Sequence, residues 1–229
     1  VKVVDEAIKW LRRDYESIFE DGSGAMTVHR GRVHKYLGMT IDYSSKGLAK
    51  ITMVDYVKDI VSAWDNAAEE YAGGFKIIVR KCSGKPTAAP SNLFVVDEEC
   101  VKLVEAQMAA FHNVGAKALY VAKRARPDIA VAISFLTTRV RNPDIQDWAT
   151  LRHLMEYLRN TIEMPLILGA TGGGVLHWYV DAAFAVHPNM RGHSGGALTL
   201  GIGFPISSSS KQKLNTRSLT ESELVGVDD

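Results

Sequence analysis

Only two cysteines, Cys82 and Cys100, occur in the 229 residues, far apart and outside any CxxC or Cys/His spacing. Neither a disulfide framework nor a zinc site is indicated, and the chain reads as intracellular. Charge of one sign is equally scarce in excess. Twenty-seven Lys and Arg against 26 Asp and Glu leave a formal charge of +1, so any contact with nucleic acid must come from local patches rather than from the whole molecule. No apolar run approaches the roughly 20 residues that span a bilayer, and no membrane partner is expected. The N-terminal "VKVVDEAIKWLRRDYESIF" lacks the basic start and small-residue cleavage site of a signal peptide. It also lacks an initiating Met, and "LTESELVGVDD" carries no helix stop signal, so both ends read as cut from a longer chain. No repeat of fixed period is present. "GATGGG" is read as a turn, since no Lys-Ser/Thr follows to make a phosphate loop.

What is there divides into an α+β sequence of elements. Val4, Ile8, Leu11, Tyr15 and Ile18 recur at helical spacing, ended by the turn "EDGSG". "AMTVHRGRVHKYLGMTIDYS" predicts a hairpin turned at Arg30-Gly31, "GLAKITM" a further strand, and "MVDYVKDIVSAW" a helix. Residues 72–97, rich in Gly, Pro, Ala and Ser, are the expected long loop or linker. Three helices follow, the last begun by Asn142-Pro143-Asp144 with the proline near its first turn. "PLILGA", "GVLHWYVDAAFAV", "SGGALTLGIG" and "FPISSSSKQKL" then predict successive strands, with a helix from Ser218 onward.

Within that last segment Asp181 is a carboxylate in a run of strand-forming residues, where an unpartnered charge is costly. An acidic strand residue, two further strands and a helix with a carboxylate in its first turn resemble the β-β-β-α opening of a ribonuclease H fold. There the strand Asp and helix Glu share a divalent metal, roles that Asp181 and Glu223 would fill; hard oxygen ligands suit magnesium. Capping competes for this reading, because Thr220 with Glu223 and Ser218 with Glu221 both match the S/T-x-x-E box. Asp228 and Asp229, turned well away from Glu223 on a helix, are expected to face solvent. His177, His187 and His193 are spaced too irregularly for zinc and are expected to be scattered surface residues.

Three ordered blocks carry a resemblance over nearly the whole chain: "HKYLGMTID" with "ITMVDYVKDIVSAW", then "GAKALYVAKRARPDIAVAISFLTTRVRNPDIQDWATLRHLMEYLRNT", then "YVDAAFAVHPNMRGHSGGALTLGIGFPISSSSKQKLNTRSLTESEL". Together they resemble the pol polyprotein of copia-type LTR retrotransposons, from late in the reverse transcriptase palm into the ribonuclease H domain. The resemblance implies four segments: 1–71 as the C-terminal part of palm and thumb, 72–97 as linker, 98–163 as helical connection, and 164–229 as the N-terminal half of a truncated ribonuclease H-like domain. It implies a cytoplasmic, nuclear or virus-like-particle setting, an RNA–DNA hybrid or DNA primer on RNA template as partner, and the rest of the polyprotein. Magnesium or manganese would bind Asp181 and Glu223, the catalytic carboxylates, and only weakly. The family's Tyr-Val-Asp-Asp turn is absent, and its later ribonuclease H carboxylates would lie past Asp229, so the fragment is expected to be inactive alone. A non-catalytic nucleic-acid-binding or structural remnant is the alternative. Tyr36, Leu37 and Gly38 resemble a primer grip, where Gly lets backbone approach closely. Lys123, Arg124 and Arg126, with Lys117 beside them and Lys211 further on, are the expected phosphate contacts.

Overall fold

The structure, a computed structural model, describes residues 2–16, 26–70 and 85–229. The turn expected at 20–24, Cys82 and the first part of the 72–97 linker lie outside the described residues. Two compact units are present, residues 1–34 and 35–229.

In the first unit, α1 (Lys2–Tyr15) is amphipathic in sequence yet has no buried residue among those described. Arg30 forms an ion pair with Asp5.

The second unit is mixed α and β. Its core is helical, built from α2 (Val54–Glu70), α3 (Glu105–Ala122), α4 (Ala130–Arg139) and α5 (Ile145–Asn160). Ile60, Phe111, Ile133, Leu136, Leu151, Leu154, Met155 and Leu158 are all but excluded from solvent, each such side chain worth about 1.5–3 kcal/mol of transfer free energy. Trp64 of α2 meets Trp148 of α5 with ring centroids 4.7 Å apart, which explains the 3.6-residue spacing of Val57, Ile60, Val61 and Trp64. Leu93 is buried in the same core, so the end of the expected linker is packed chain.

A sheet orders its strands β1 (Val33–Tyr36), β2 (Met39–Asp42), β3 (Leu48–Thr52), β4 (Leu166–Ala170) and β7 (Gly201–Ile202), the unit boundary falling within β1. The β1–β2 connection is Leu37-Gly38, not Arg30-Gly31 as the sequence suggests. Both residues have positive φ, 50° and 79°, the conformation whose twist suits a two-residue hairpin. A second reassignment concerns β4. It pairs antiparallel with β3, Leu48 opposite Gly169 and Ile51 opposite Leu166, and on its other edge with the short β7, so "PLILGA" joins the sheet of the preceding segment rather than that of β5, β6 and β8.

Those strands, β5 (His177–Ala183), β6 (His193–Thr199) and β8 (Ile206–Lys211), form a separate antiparallel sheet in the order β5-β6-β8, aligning Asp181, Gly195 and Ser209 across it. The closing helix, α6 (Leu219–Asp228), is capped by Ser218, whose hydroxyl accepts from the Glu221 amide, while Glu221 Oε2 accepts from the Arg217 amide. Of the two capping patterns in the sequence the chain uses Ser218 with Glu221, leaving Glu223 outside the cap. At α5 the cap is Asp144 itself, with Pro143 before it. Its Oδ1 accepts from the Gln146 and Asp147 amides, and Asp147 Oδ2 accepts from the Asp144 amide. Arg139 and Lys102 neutralise the pair.

Candidate nucleic-acid interface

Two segments 80 or so residues apart in the chain meet at one point. The hairpin tip leaves Tyr36 61% and Leu37 52% exposed. The Tyr120 hydroxyl, from the last turn of α3, donates to the Leu37 carbonyl at 3.0 Å. Its ring packs on Tyr56 of α2 with centroids 5.1 Å apart, and the Arg124 guanidinium lies 3.5 Å from its centroid, over the ring. Arg124 Nη1 also donates to the Tyr120 carbonyl at 3.3 Å. The cluster of Tyr56, Tyr120 and Arg124 thus holds a flat cation beside the tip, and Lys123 next to it is exposed. Burial, and then the proximity of Tyr120, raise the pKa of Tyr56 above that of an ordinary phenol, so Tyr56 is a neutral ring near pH 7. Tyr36, Leu37, Gly38, Lys123 and Arg124, expected from separate motifs, are brought together. Tyr120 was missed; an aromatic four residues before Arg124 on one helix face is the signal that announced it.

Arg126 is a correction. Its side chain is 2% exposed, donating from Nε and Nη2 to Asp128 at 2.7–3.2 Å and from Nη1 and Nη2 to the carbonyl and hydroxyl of Thr161 at 2.8 and 2.7 Å. A guanidinium so buried, with four of its five N–H groups engaged, is not presented to phosphate; it fastens the end of α5 to the turn at Pro127–Ile129. Lys211 also stands apart. It lies at the far end of β8 from Ile206, about 17 Å along the strand, and its pKa is lowered by burial and by Arg191 and Arg139.

The histidines are a further correction. His187 and His193 are 2% and 6% exposed. His187 Nε2 and His193 Nδ1 share a hydrogen bond of 3.1 Å, and His193 Nε2 meets Ser209 Oγ at 2.8 Å. Phe94 and Phe135 pack around the pair.

The expected metal pair does not assemble. A Cβ built on Gly226 of α6 would meet Ala182 Cβ at 3.2 Å and Val180 Cγ1 at 3.5 Å, so α6 rests on the even-numbered face of β5. Strand alternation turns Asp181 to the opposite face, where it lines a groove with Phe94 and Val131. Nor does Asp229 face only solvent, since its Oδ2 accepts from Ser194 Oγ at 2.8 Å. Among the described residues no group of three or more His, Cys, Asp or Glu is placed to hold a metal ion. The carboxylates present therefore do not fit a shared cation. Millimolar manganese is expected to leave the melting temperature of the chain unchanged, and equally so in Asp181→Asn; a rise of several degrees in the parent that Asp181→Asn abolishes would restore the pair.

No family model matches the sequence, and no solved structure does. Two curated proteins do. A Ty5-1 transposon protein of Saccharomyces cerevisiae is 26% identical over 183 residues, 80% of this chain and 54% of that protein. A retrovirus-related Pol polyprotein from transposon TNT 1-94 of Nicotiana tabacum is 33% identical over 110 residues, 48% of this chain and 8% of the polyprotein. Both relatives are mobile-element proteins. More narrowly, the chain is similar to a Pol polyprotein over 48% of its length, and it spans about half of the first relative and a small part of the second. No described helix is long and apolar enough to cross a membrane.

Proposed function

We propose that the chain is the nucleic-acid-gripping portion of a copia-type retrotransposon reverse transcriptase, running from the end of the palm through a helical connection into a ribonuclease H-like unit. It holds an RNA–DNA hybrid or primer–template and does not extend or cleave it alone. The observation that carries this reading is the Tyr120–Leu37 hydrogen bond, which makes one surface of the hairpin tip and the basic end of α3. Neighbouring phosphates would meet Lys123 and Arg124, while the positive-φ turn at Leu37-Gly38 leaves the exposed side chains of Tyr36 and Leu37 beside them. The absence from this sequence of the Tyr-Val-Asp-Asp turn that supplies the family's polymerase carboxylates supports the reading that it does not extend a primer alone.

The test is a charge-reversed double variant, Lys123→Glu with Arg124→Glu, titrated with a labelled RNA–DNA hybrid across salt. Each lost phosphate contact lowers the magnitude of the log–log salt slope by about 0.9. The expected change is thus between one and two units, with at least ten-fold weaker binding at low salt. An unchanged slope would show that neither residue touches phosphate, and a parent chain that binds no hybrid would leave it as a structural remnant.

A further inference from the structure

We propose that the notch between the C-terminal end of α3 and the turn entering β8 is a nucleotide subsite for single-stranded nucleic acid, with phosphate on Lys123 and Arg124 and the base on Phe204. The proposal rests on the nucleic-acid reading above and adds a strand that the hybrid does not supply.

Three observations converge on it. The notch has a volume of about 250 Å³ and is lined by Lys123 and Arg124 on one wall and Phe204, Pro205 and Ile206 on the other, with no Asp or Glu among its lining residues. Neither cation has a carboxylate partner among the described residues, so their charge is available to an anion. Next, Phe204 is 41% exposed and stands edge-on to Tyr179, itself 58% exposed, with centroids 6.4 Å apart at 87°. Two half-exposed rings beside paired cations are the arrangement on which successive bases stack while the backbone follows the charge. Finally, Phe204 and Ser207 line both the notch and a neighbouring groove of about 760 Å³ that contains Tyr179 and Asp181. The path from cation to aromatic to groove is therefore continuous. The carboxylates of Asp128 and Asp181 border that groove; they repel phosphate and so confine the backbone to the notch, leaving the groove to bases. This division requires a single strand, because in a duplex the base faces are already covered by their neighbours.

A labelled single-stranded oligonucleotide and an RNA–DNA hybrid of equal length, titrated into the full chain by fluorescence anisotropy at several salt concentrations, test it. Phe204→Ala and Phe204→Leu are both expected to weaken single-strand binding at least about five-fold, the low end for one base stacked on an aromatic ring. The salt slope should stay unchanged, since no cation is removed. Phe204→Trp should retain full binding, Tyr179→Ala should act in the same direction as Phe204→Ala, and hybrid binding should be unaffected by all four. Because Phe204→Leu keeps an apolar side chain at a half-exposed position, a matched melting temperature separates lost stacking from lost fold. Parental single-strand affinity in Phe204→Leu, or an equal loss on the hybrid, overturns the subsite while the hybrid grip stands. If the parent chain binds neither oligonucleotide, both readings fall together.

Discussion

Replacing Arg126 with Leu should cost the chain about 3 kcal/mol and leave its affinity for nucleic acid, measured below the melting transition, unchanged. The side chain is almost wholly excluded from solvent, and its donors are divided between Asp128 and Thr161, 35 residues on in the chain. Tyr157 completes the cluster, its hydroxyl donating to Asp128 Oδ2 at 2.9 Å. Burial, and then the bonded Asp128, raise the pKa of that hydroxyl above its ordinary value, so it stays a donor. Removing the guanidinium leaves the carboxylate with one neutral donor and takes a donor from both the carbonyl and the hydroxyl of Thr161, the carbonyl keeping only the Met164 amide, the situation in which breaking a buried pair is expensive. For a unit of this size the loss corresponds to a fall in melting temperature on the order of 10 °C. Urea unfolding and a salt titration on the same variant decide the matter. A stable variant with a shallower salt slope would return Arg126 to the phosphate contacts; a destabilised one with the parental slope fixes it as the fastening of α5.

That contrast shows where sequence reading succeeded and where it ran short. Helices α2 to α5 were legible because their apolar residues recur at the helical period and are the same ones the core buries. Strands β5, β6 and β8 were legible from β-branched and aromatic content bounded by glycine-rich turns. The hairpin turn was misplaced because Arg30-Gly31 is a conventional turn signal, whereas Leu37-Gly38 conceals a positive-φ position behind a leucine. β4 was assigned to the wrong sheet because the partner of a strand is a long-range property, and nothing local to "PLILGA" names β3. Charge patterning marked Lys123, Arg124 and Arg126 alike, since the burial of one arginine in a basic run depends on the helix it packs against. Asp181 and Glu223 sit at a spacing that suits a metal pair, yet face is decided by strand alternation and by which side α6 lands on. The glutamates of "TESEL" could be told apart only when Ser218 was seen to cap through Glu221. The histidine pair was invisible for the same reason as β4: residues six apart across a loop share a hydrogen bond only because β6 folds back beside that loop.

Stability should fall as the pH is lowered from 7 to 4, and His187 should account for the largest single share. Burial, then Lys211, then His193 hold its pKa down to about 4. Its Nδ1 has no hydrogen-bond partner, and the rings of Phe94 and Phe135 around it offer no counter-charge. In the unfolded chain the same imidazole takes a proton near 6.5. Between those two values the unfolded state binds a proton that the folded state refuses, so the equilibrium moves toward unfolding as pH drops. Above 6.5 both states are neutral and the contribution is absent; below 4 it is complete at about 3 kcal/mol, using ~1.36 kcal/mol per pKa unit. At pH 5 it should have reached about 2 kcal/mol. His193, lowered by burial alone, adds in the same direction. Urea midpoints at pH 7 and pH 5 for the parent and for His187→Phe give the test. The variant sets a ring of similar size among Phe94 and Phe135 and cannot titrate. Whatever its stability at pH 7, the difference between its two pH values should be smaller than the parent's by about 2 kcal/mol. Identical pH dependence in the two proteins would mean that His187 is protonated in the folded chain, with water or an anion reaching Nδ1 from the side of Arg191 and Lys211.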